Sequence, residues 1–77
     1  MERTFNWGII GLGKIARKFA DELRRLPNAR LHAIASASPE RARAFAHEYN
    51  VPNVYVRYEE LVLCPDLDVV YIATPHV

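Results

Sequence analysis

The 77-residue chain has the composition of one small globular domain, with 51% hydrophobic residues, 25% charged residues and a formal net charge of +1. Its ten lysines and arginines are scattered along the sequence, which argues against a nucleic-acid partner, and its longest apolar run, residues 69–73, is too short to cross a membrane. Cys64 is the only cysteine and the three histidines have no metal-ligand spacing, so we expect no disulfide, no metal site and a cytoplasmic location.

An apolar strand, a glycine turn and a helix begin the chain. The strand is predicted over residues 5–10 and the helix over residues 14–26, where Pro27 ends it. Apolar residues recur at every third or fourth position of the helix, as they do in a helix packed on a sheet. The predicted buried stripe consists of Ile15, Ala16, Phe19, Ala20, Leu23 and Leu26.

The turn between this strand and helix reads Gly11-Leu12-Gly13-Lys14-Ile15-Ala16, a G-x-G-x-x-A sequence. Gly11 would make the tight turn, Gly13 would let a diphosphate approach the backbone, and Ala16 would let the helix pack close to the strand. Backbone N–H groups at the helix start would then face the diphosphate, with the helix dipole behind them. The motif alone is weak evidence, because glycine pairs also occur in ordinary tight turns.

Three more strands and two more helices follow. Strands are predicted over residues 30–36, 54–56 and 68–73, and helices over residues 39–49 and 58–63. Ser38 and Pro39 mark a helix start, and Asn50 suits a left-handed closing residue. This alternation predicts an α/β fold of three layers, a Rossmann-type parallel sheet with strand order 3-2-1-4.

The reversal of strand order between the third and fourth strands predicts a crevice at the carboxyl ends of strands one and four. The glycine turn and Thr74-Pro75-His76 both lie at these ends, which strengthens the prediction of nucleotide binding. Only the short third helix is available to cover one face of the sheet. We therefore expect apolar sheet surface to be exposed on that face.

With these residues placed, the chain resembles the amino-terminal part of the Gfo/Idh/MocA family, named after glucose–fructose oxidoreductase, inositol dehydrogenase and a rhizopine-catabolism protein. Within that family it is most similar to the dihydrodiol and aldose dehydrogenase branch. Five segments in order carry the resemblance: GIIGLGKIA (8–16), IAS (34–36), PERARAFA (39–46), YEEL (58–61) and VYIATPH (70–76).

The resemblance implies an NAD(P)-dependent oxidoreductase that moves hydride to or from a sugar, cyclitol or diol. Residues 11–16 would hold the diphosphate, Ser36 and its neighbours the adenosine ribose, and Ala73, Thr74, Pro75 and His76 the nicotinamide side. Family members also have a Glu-Lys-Pro segment after the fourth strand, and a second domain that binds the small-molecule substrate and builds a homo-oligomer. Residues 1–77 are therefore expected to be the cofactor-binding part, without a catalytic residue of their own.

The choice of cofactor depends on the residue about twenty positions after the glycine motif, where a carboxylate selects NAD. This position holds Ser36, and with Ala37, Ser38 and Arg41 nearby it favours NADP. NADP-using family members often have an arginine where this chain has Ala37, so NAD remains open. Ser38 also has a capping role, and Arg41 has the alternative of a solvated surface charge.

The sequence also allows three alternative interpretations. His76 could act as an acid, although a structural role is favoured. The chain could be a non-catalytic dinucleotide-binding sensor or scaffold. A methyltransferase with a similar glycine turn is disfavoured by Ser36, because such enzymes usually bind the ribose of their cofactor with a carboxylate.

Overall fold

Strands and helices alternate along the chain in a computed structural model that describes residues 4–73. Thr74, Pro75 and His76, predicted for the nicotinamide side, lie outside the described residues. The elements are β1 (Phe5–Ile10), α1 (Lys14–Leu23), β2 (Ala29–Ala35), α2 (Pro39–Tyr49), β3 (Asn53–Tyr55), α3 (Tyr58–Val62) and β4 (Val69–Ile72).

The four strands form one parallel sheet in the order β3-β2-β1-β4, which confirms the predicted topology. Ile10, the last residue of β1, lies opposite Ala35 of β2 and Ile72 of β4. The carboxyl ends of these three strands are therefore level with one another. The loops that leave them meet at a single edge of the sheet.

The two faces of the sheet bury separate apolar clusters. Ile9 packs with residues of α1 and α2, whereas its neighbour Ile10 packs on the opposite face with Leu61 of α3. Successive residues of a strand point to opposite faces, so β1 contributes to both clusters. The domain thus has the three layers expected from the sequence, with α1 and α2 on one face and α3 on the other.

Helix α1 is shorter than predicted, and its buried stripe is narrower. Ala16, Ala20 and Leu23 are buried, but Ile15 is 61% exposed and Leu26, beyond the helix end, is 50% exposed. Ile15 precedes Ala16 by one residue and so lies about 100° away around the helix axis. The prediction that Ile15 and Leu26 belong to the buried stripe is therefore wrong.

The boundaries of α2 follow the predicted signals. The Ser38 hydroxyl accepts a hydrogen bond from the Arg41 N–H at 3.4 Å, and Pro39 occupies the first helical turn. At the other end Asn50 adopts the left-handed conformation, with φ 55° and ψ 47°. Both caps satisfy backbone groups that a helix end would otherwise leave unpaired.

The face that carries α3 leaves apolar side chains exposed, as predicted. Ile72 of β4 is 65% exposed. Its neighbour Tyr71 stacks on Phe19 of α1, with 4.1 Å between the ring centroids. Because successive residues of a strand point to opposite faces, Ile72 points to the face that carries α3. Val62 and Leu63, at the end of α3, are also exposed.

Two features bear on function, namely membrane-spanning helices and clusters of metal ligands. Among residues 4–73, no helix is both long and apolar enough to cross a lipid bilayer. Nor do three or more His, Cys, Asp or Glu side chains in this part of the chain gather as metal ligands would. Cys64 is a buried free thiol.

Candidate functional site

The glycine turn is anchored to both neighbours of β1. Gly11 donates its N–H to the Ala35 carbonyl at 3.0 Å, and Ala73 donates to the Ile10 carbonyl at 2.8 Å. Gly11 has φ 89°, a backbone conformation that residues with a Cβ rarely adopt. The chain can therefore leave β1 sharply and enter α1 within three residues.

Gly13 is the N-cap of α1 and leaves the helix start open. Its φ of −103° and ψ of −163° are extended, and no side chain caps the helix or places an acid in its first turn. A Cβ added at Gly13 would meet no atom within 4 Å. Since packing among residues 4–73 does not require a glycine here, a ligand approaching the backbone is a physical reason for one.

The other residues of the turn divide between the core and the solvent. Ala16 is buried against the sheet beside Ile9, which allows the close helix–strand packing expected of a small residue. Leu12 is half-buried against the same cluster, whereas the side chains of Lys14 and Ile15 are exposed. Ala16 therefore has a packing role, whereas Lys14 and Ile15 present their side chains to solvent.

Ser36 follows the end of β2 and is only 7% exposed. Its N–H donates to the Tyr55 carbonyl at 3.1 Å, and its hydroxyl oxygen accepts the Ser38 N–H at 3.2 Å. A hydroxyl that accepts in this way keeps its own proton for donation. Ser38 has the capping role expected from the sequence, and Ala37 between them is exposed.

A crevice of about 330 Å³ opens above these strand ends. Within the part of the chain that the structure describes, its lining has no carboxylate, imidazole or thiol and consists of Gly11, Leu12, Gly13, Ser36, Ala37, Ser38, Arg41, Tyr58 and Ala73. The crevice thus brings together six of the sequence-predicted site residues between 11 and 41, the capping residue Ser38, and the predicted Ala73 from the end of β4, as the topology requires. Lys14, Ile15 and Ala16 are not part of this lining.

Tyr58 lines the crevice but was not predicted from the sequence to be part of the site. It begins α3, shortly after the carboxyl end of β3. Ser36 follows β2 in the same way, so the rule that loops at these strand ends bind ligands could have identified Tyr58 as well. It brings a phenol to a described lining that otherwise consists of glycine, alanine and serine residues with Leu12 and Arg41.

The α1–α2 interface carries a charge network next to the turn. The Arg17 guanidinium forms an ion pair with Glu48, which raises the pKa of Arg17. The Tyr49 hydroxyl donates to the Asp21 carboxylate at 3.0 Å, and burial with this bond raises the pKa of Tyr49. The network joins α1 to the carboxyl-terminal end of α2.

A model of the oxidoreductase family with an NAD-binding Rossmann fold matches residues 5–76. This match covers nearly the whole chain. The chain belongs to the Gfo/Idh/MocA oxidoreductase family.

Curated relatives of this family member include dihydrodiol dehydrogenases. The chain is 42% identical over 75 residues to trans-1,2-dihydrobenzene-1,2-diol dehydrogenase of Mus musculus and 43% identical over 75 residues to the enzyme of that name from Danio rerio. Each alignment covers 95% of this chain and 22% of the relative. The chain thus spans about a fifth of the length of these relatives.

Solved structures of dehydrogenases share the fold. Scyllo-inositol dehydrogenase of Lactobacillus casei, solved with NAD(H) and scyllo-inositol, superposes with a TM-score of 0.86 at 28% identity. A levoglucosan dehydrogenase in complex with NADH superposes with a TM-score of 0.87 at 27% identity. Both comparisons cover 95% of this chain and 22% of the solved chain.

Proposed function

We propose that this chain is the dinucleotide-binding part of an oxidoreductase that transfers hydride between a nicotinamide cofactor and a hydroxyl-bearing carbon of a sugar, cyclitol or diol. The observation that carries the proposal is the open helix start at Gly13, with no capping side chain and no atom where a Cβ would lie. Family membership and the named activities of the relatives support it. The nicotinamide supplies the hydride chemistry when bound.

The described residues have a binding and orienting role in this proposal. The N–H groups of the turn from Gly11 to Ala16 hold the diphosphate, where the helix dipole favours negative charge. Ser36 and Ala37 contact the adenosine ribose, and Ala73 lies on the nicotinamide side together with the predicted residues Thr74, Pro75 and His76. Among residues 4–73 the crevice lining has no carboxylate or imidazole, so we assign none of these described residues to proton transfer.

We further propose that NADP is preferred to NAD. A carboxylate at the end of β2 would bind the ribose hydroxyls of NAD and repel a 2′-phosphate, and Ser36 occupies that place instead. The Ser36 hydroxyl has a free proton to donate, and the nearby Arg41 lines the same crevice. Both groups favour an anion beside the ribose, whereas the uncharged Ala37 contributes nothing to this preference.

Binding of NADPH and NADH to the chain, followed by isothermal titration calorimetry, tests both proposals. We expect tighter binding of NADPH, and we expect Ser36→Asp to reverse the order, because its carboxylate repels the 2′-phosphate. Near-ultraviolet circular dichroism of Trp7 verifies that each sample is folded. A folded chain that binds neither cofactor would overturn the nucleotide-binding role, and binding of S-adenosylmethionine instead would point to a methyltransferase.

The activity of the whole protein is tested separately. We expect NADP-dependent oxidation of trans-dihydrodiols or cyclitols by a protein that contains this chain and the remaining domain of its relatives. Cofactor binding without turnover of any such substrate would favour the sensor or scaffold alternative. For the whole protein we likewise propose a cytoplasmic location, a second domain and a homo-oligomer.

A further inference from the structure

A second cavity, of about 310 Å³, lies in the groove between α1 and α2 beside the crevice. Its described lining has three cationic side chains and no acidic one, and consists of Leu12, Gly13, Lys14, Arg17, Arg41, Ala44 and Phe45. Lys14 and Arg17 come from α1, whereas Arg41 comes from α2 on the opposite side. A groove with cations on both walls is a site for an anion.

The three cations are not equivalent. Arg17 forms an ion pair with Glu48, and its guanidinium carbon lies 5.7 Å from the centroid of the Phe45 ring. These contacts offset its charge and hold its side chain against α2. Within residues 4–73, neither Lys14 nor Arg41 forms an ion pair. The charge available to a ligand therefore comes chiefly from Lys14 and Arg41.

The groove is continuous with the proposed dinucleotide crevice. Leu12, Gly13 and Arg41 line both cavities, so the Arg41 side chain stands at their junction. Ser36, the proposed contact of the adenosine ribose, lines the crevice on the same side. A phosphate on the ribose 2′-oxygen would thus reach the groove, whereas the unsubstituted hydroxyl of NAD would not fill it.

We infer that Lys14 is a specificity-determining residue that contacts the 2′-phosphate of NADP from α1, opposite Arg41 on α2. This inference rests on the proposed function and extends it to the first helix. Lys14 would also provide the positive charge beside the 2′-phosphate that the uncharged Ala37 does not provide. The discrimination between the two cofactors then depends on two helices and not only on the loop after β2.

The test compares Lys14→Gln with Lys18→Gln, a matched control on the same helix whose exposed lysine lies outside the groove lining. Loss of one charged phosphate contact should weaken NADPH binding by about tenfold, measured by calorimetry. NADH binding should change by less than about twofold. NADH has no 2′-phosphate, so Lys14→Gln removes only a long-range electrostatic attraction that salt screens. Lys18→Gln should leave both affinities within about twofold, and Lys14→Arg should restore NADPH binding.

Two outcomes would overturn the inference. An equal loss of NADPH and NADH affinity would place Lys14 on the diphosphate that both cofactors share, and unchanged NADPH affinity would remove Lys14 from the site. Competition by 2′-AMP gives a second measurement, because 2′-AMP carries the 2′-phosphate but no diphosphate. Lys14→Gln should therefore weaken the binding of 2′-AMP. If the wild-type chain binds neither cofactor, the proposed function itself fails, and that result is distinct from an altered NADPH-to-NADH ratio.

Discussion

Replacing Gly13 with serine should stabilise the fold and weaken cofactor binding at the same time. The backbone at Gly13 is extended, so a serine fits without strain, and its Cβ would meet no atom within 4 Å. The new hydroxyl would accept a hydrogen bond from a backbone N–H in the first turn of α1, which has no side-chain cap at present. These are the N–H groups that the proposed diphosphate requires.

The size of each effect can be estimated from the geometry. Serine at an N-cap is better than glycine by a few tenths of a kcal/mol, and loss of glycine's freedom in the unfolded chain adds about 0.4–1 kcal/mol. The free energy of unfolding should therefore rise by about 1 kcal/mol, which raises the Tm of a domain of this size by about 4–8 °C. The affinities for NADPH and NADH should both fall by at least about tenfold, since charge-assisted bonds to the diphosphate are lost.

Thermal unfolding followed by circular dichroism measures the first effect, and calorimetric titration measures the second. Gly13→Ala is the matched variant, because it adds the Cβ without a hydroxyl and so separates the steric effect on binding from the capping effect on stability. A serine variant that melts below the wild type would show that the fold itself needs glycine at this position. Unchanged affinity for both cofactors would show that the diphosphate does not pass over residue 13.

Three further substitutions test other parts of the structure. Gly11→Ala should lower the free energy of unfolding by about 1–2 kcal/mol in urea denaturation, because φ is 89° there, and an unchanged midpoint would contradict this strain. Gly8→Ala should cost about 1–3 kcal/mol in the same assay, since its Cβ would lie 3.0 Å from Leu67 Cδ1, and a neutral result would mean that the leucine moves aside without loss. The pKa of Tyr49 is raised above 10.0 by burial and by its bond to Asp21, so the unfolded chain ionises first and stability should fall as pH rises above that value. Tyr49→Phe should flatten this alkaline decline in denaturation midpoints measured across pH, and an identical slope would refute the assignment.

Features that depend on neighbouring residues were predictable from the sequence. The extended segment before Gly11, the Ser38 cap and the left-handed Asn50 each arise from the local chemistry of a few consecutive residues, and the structure confirms all three. The order of the strands was also predictable, because alternating strands and helices admit few right-handed parallel arrangements. The crevice at the ends of β1 and β4 follows from that order.

The position of side chains around and between elements was decided only by tertiary packing. Spacing places Ile15 near the apolar side of α1, but the rotation of the helix on the sheet brings Ala16, Ala20 and Leu23 inward and leaves Ile15 exposed. Tyr58 lines the crevice because it follows the carboxyl end of β3, and β3 lies beside β2 in the sheet. Lys14 and Arg41 are 27 residues apart in the sequence and line the same groove because α1 and α2 pack side by side. Sequence patterns report the periodicity within one element, whereas the distance between two elements is set by how their buried faces fit together.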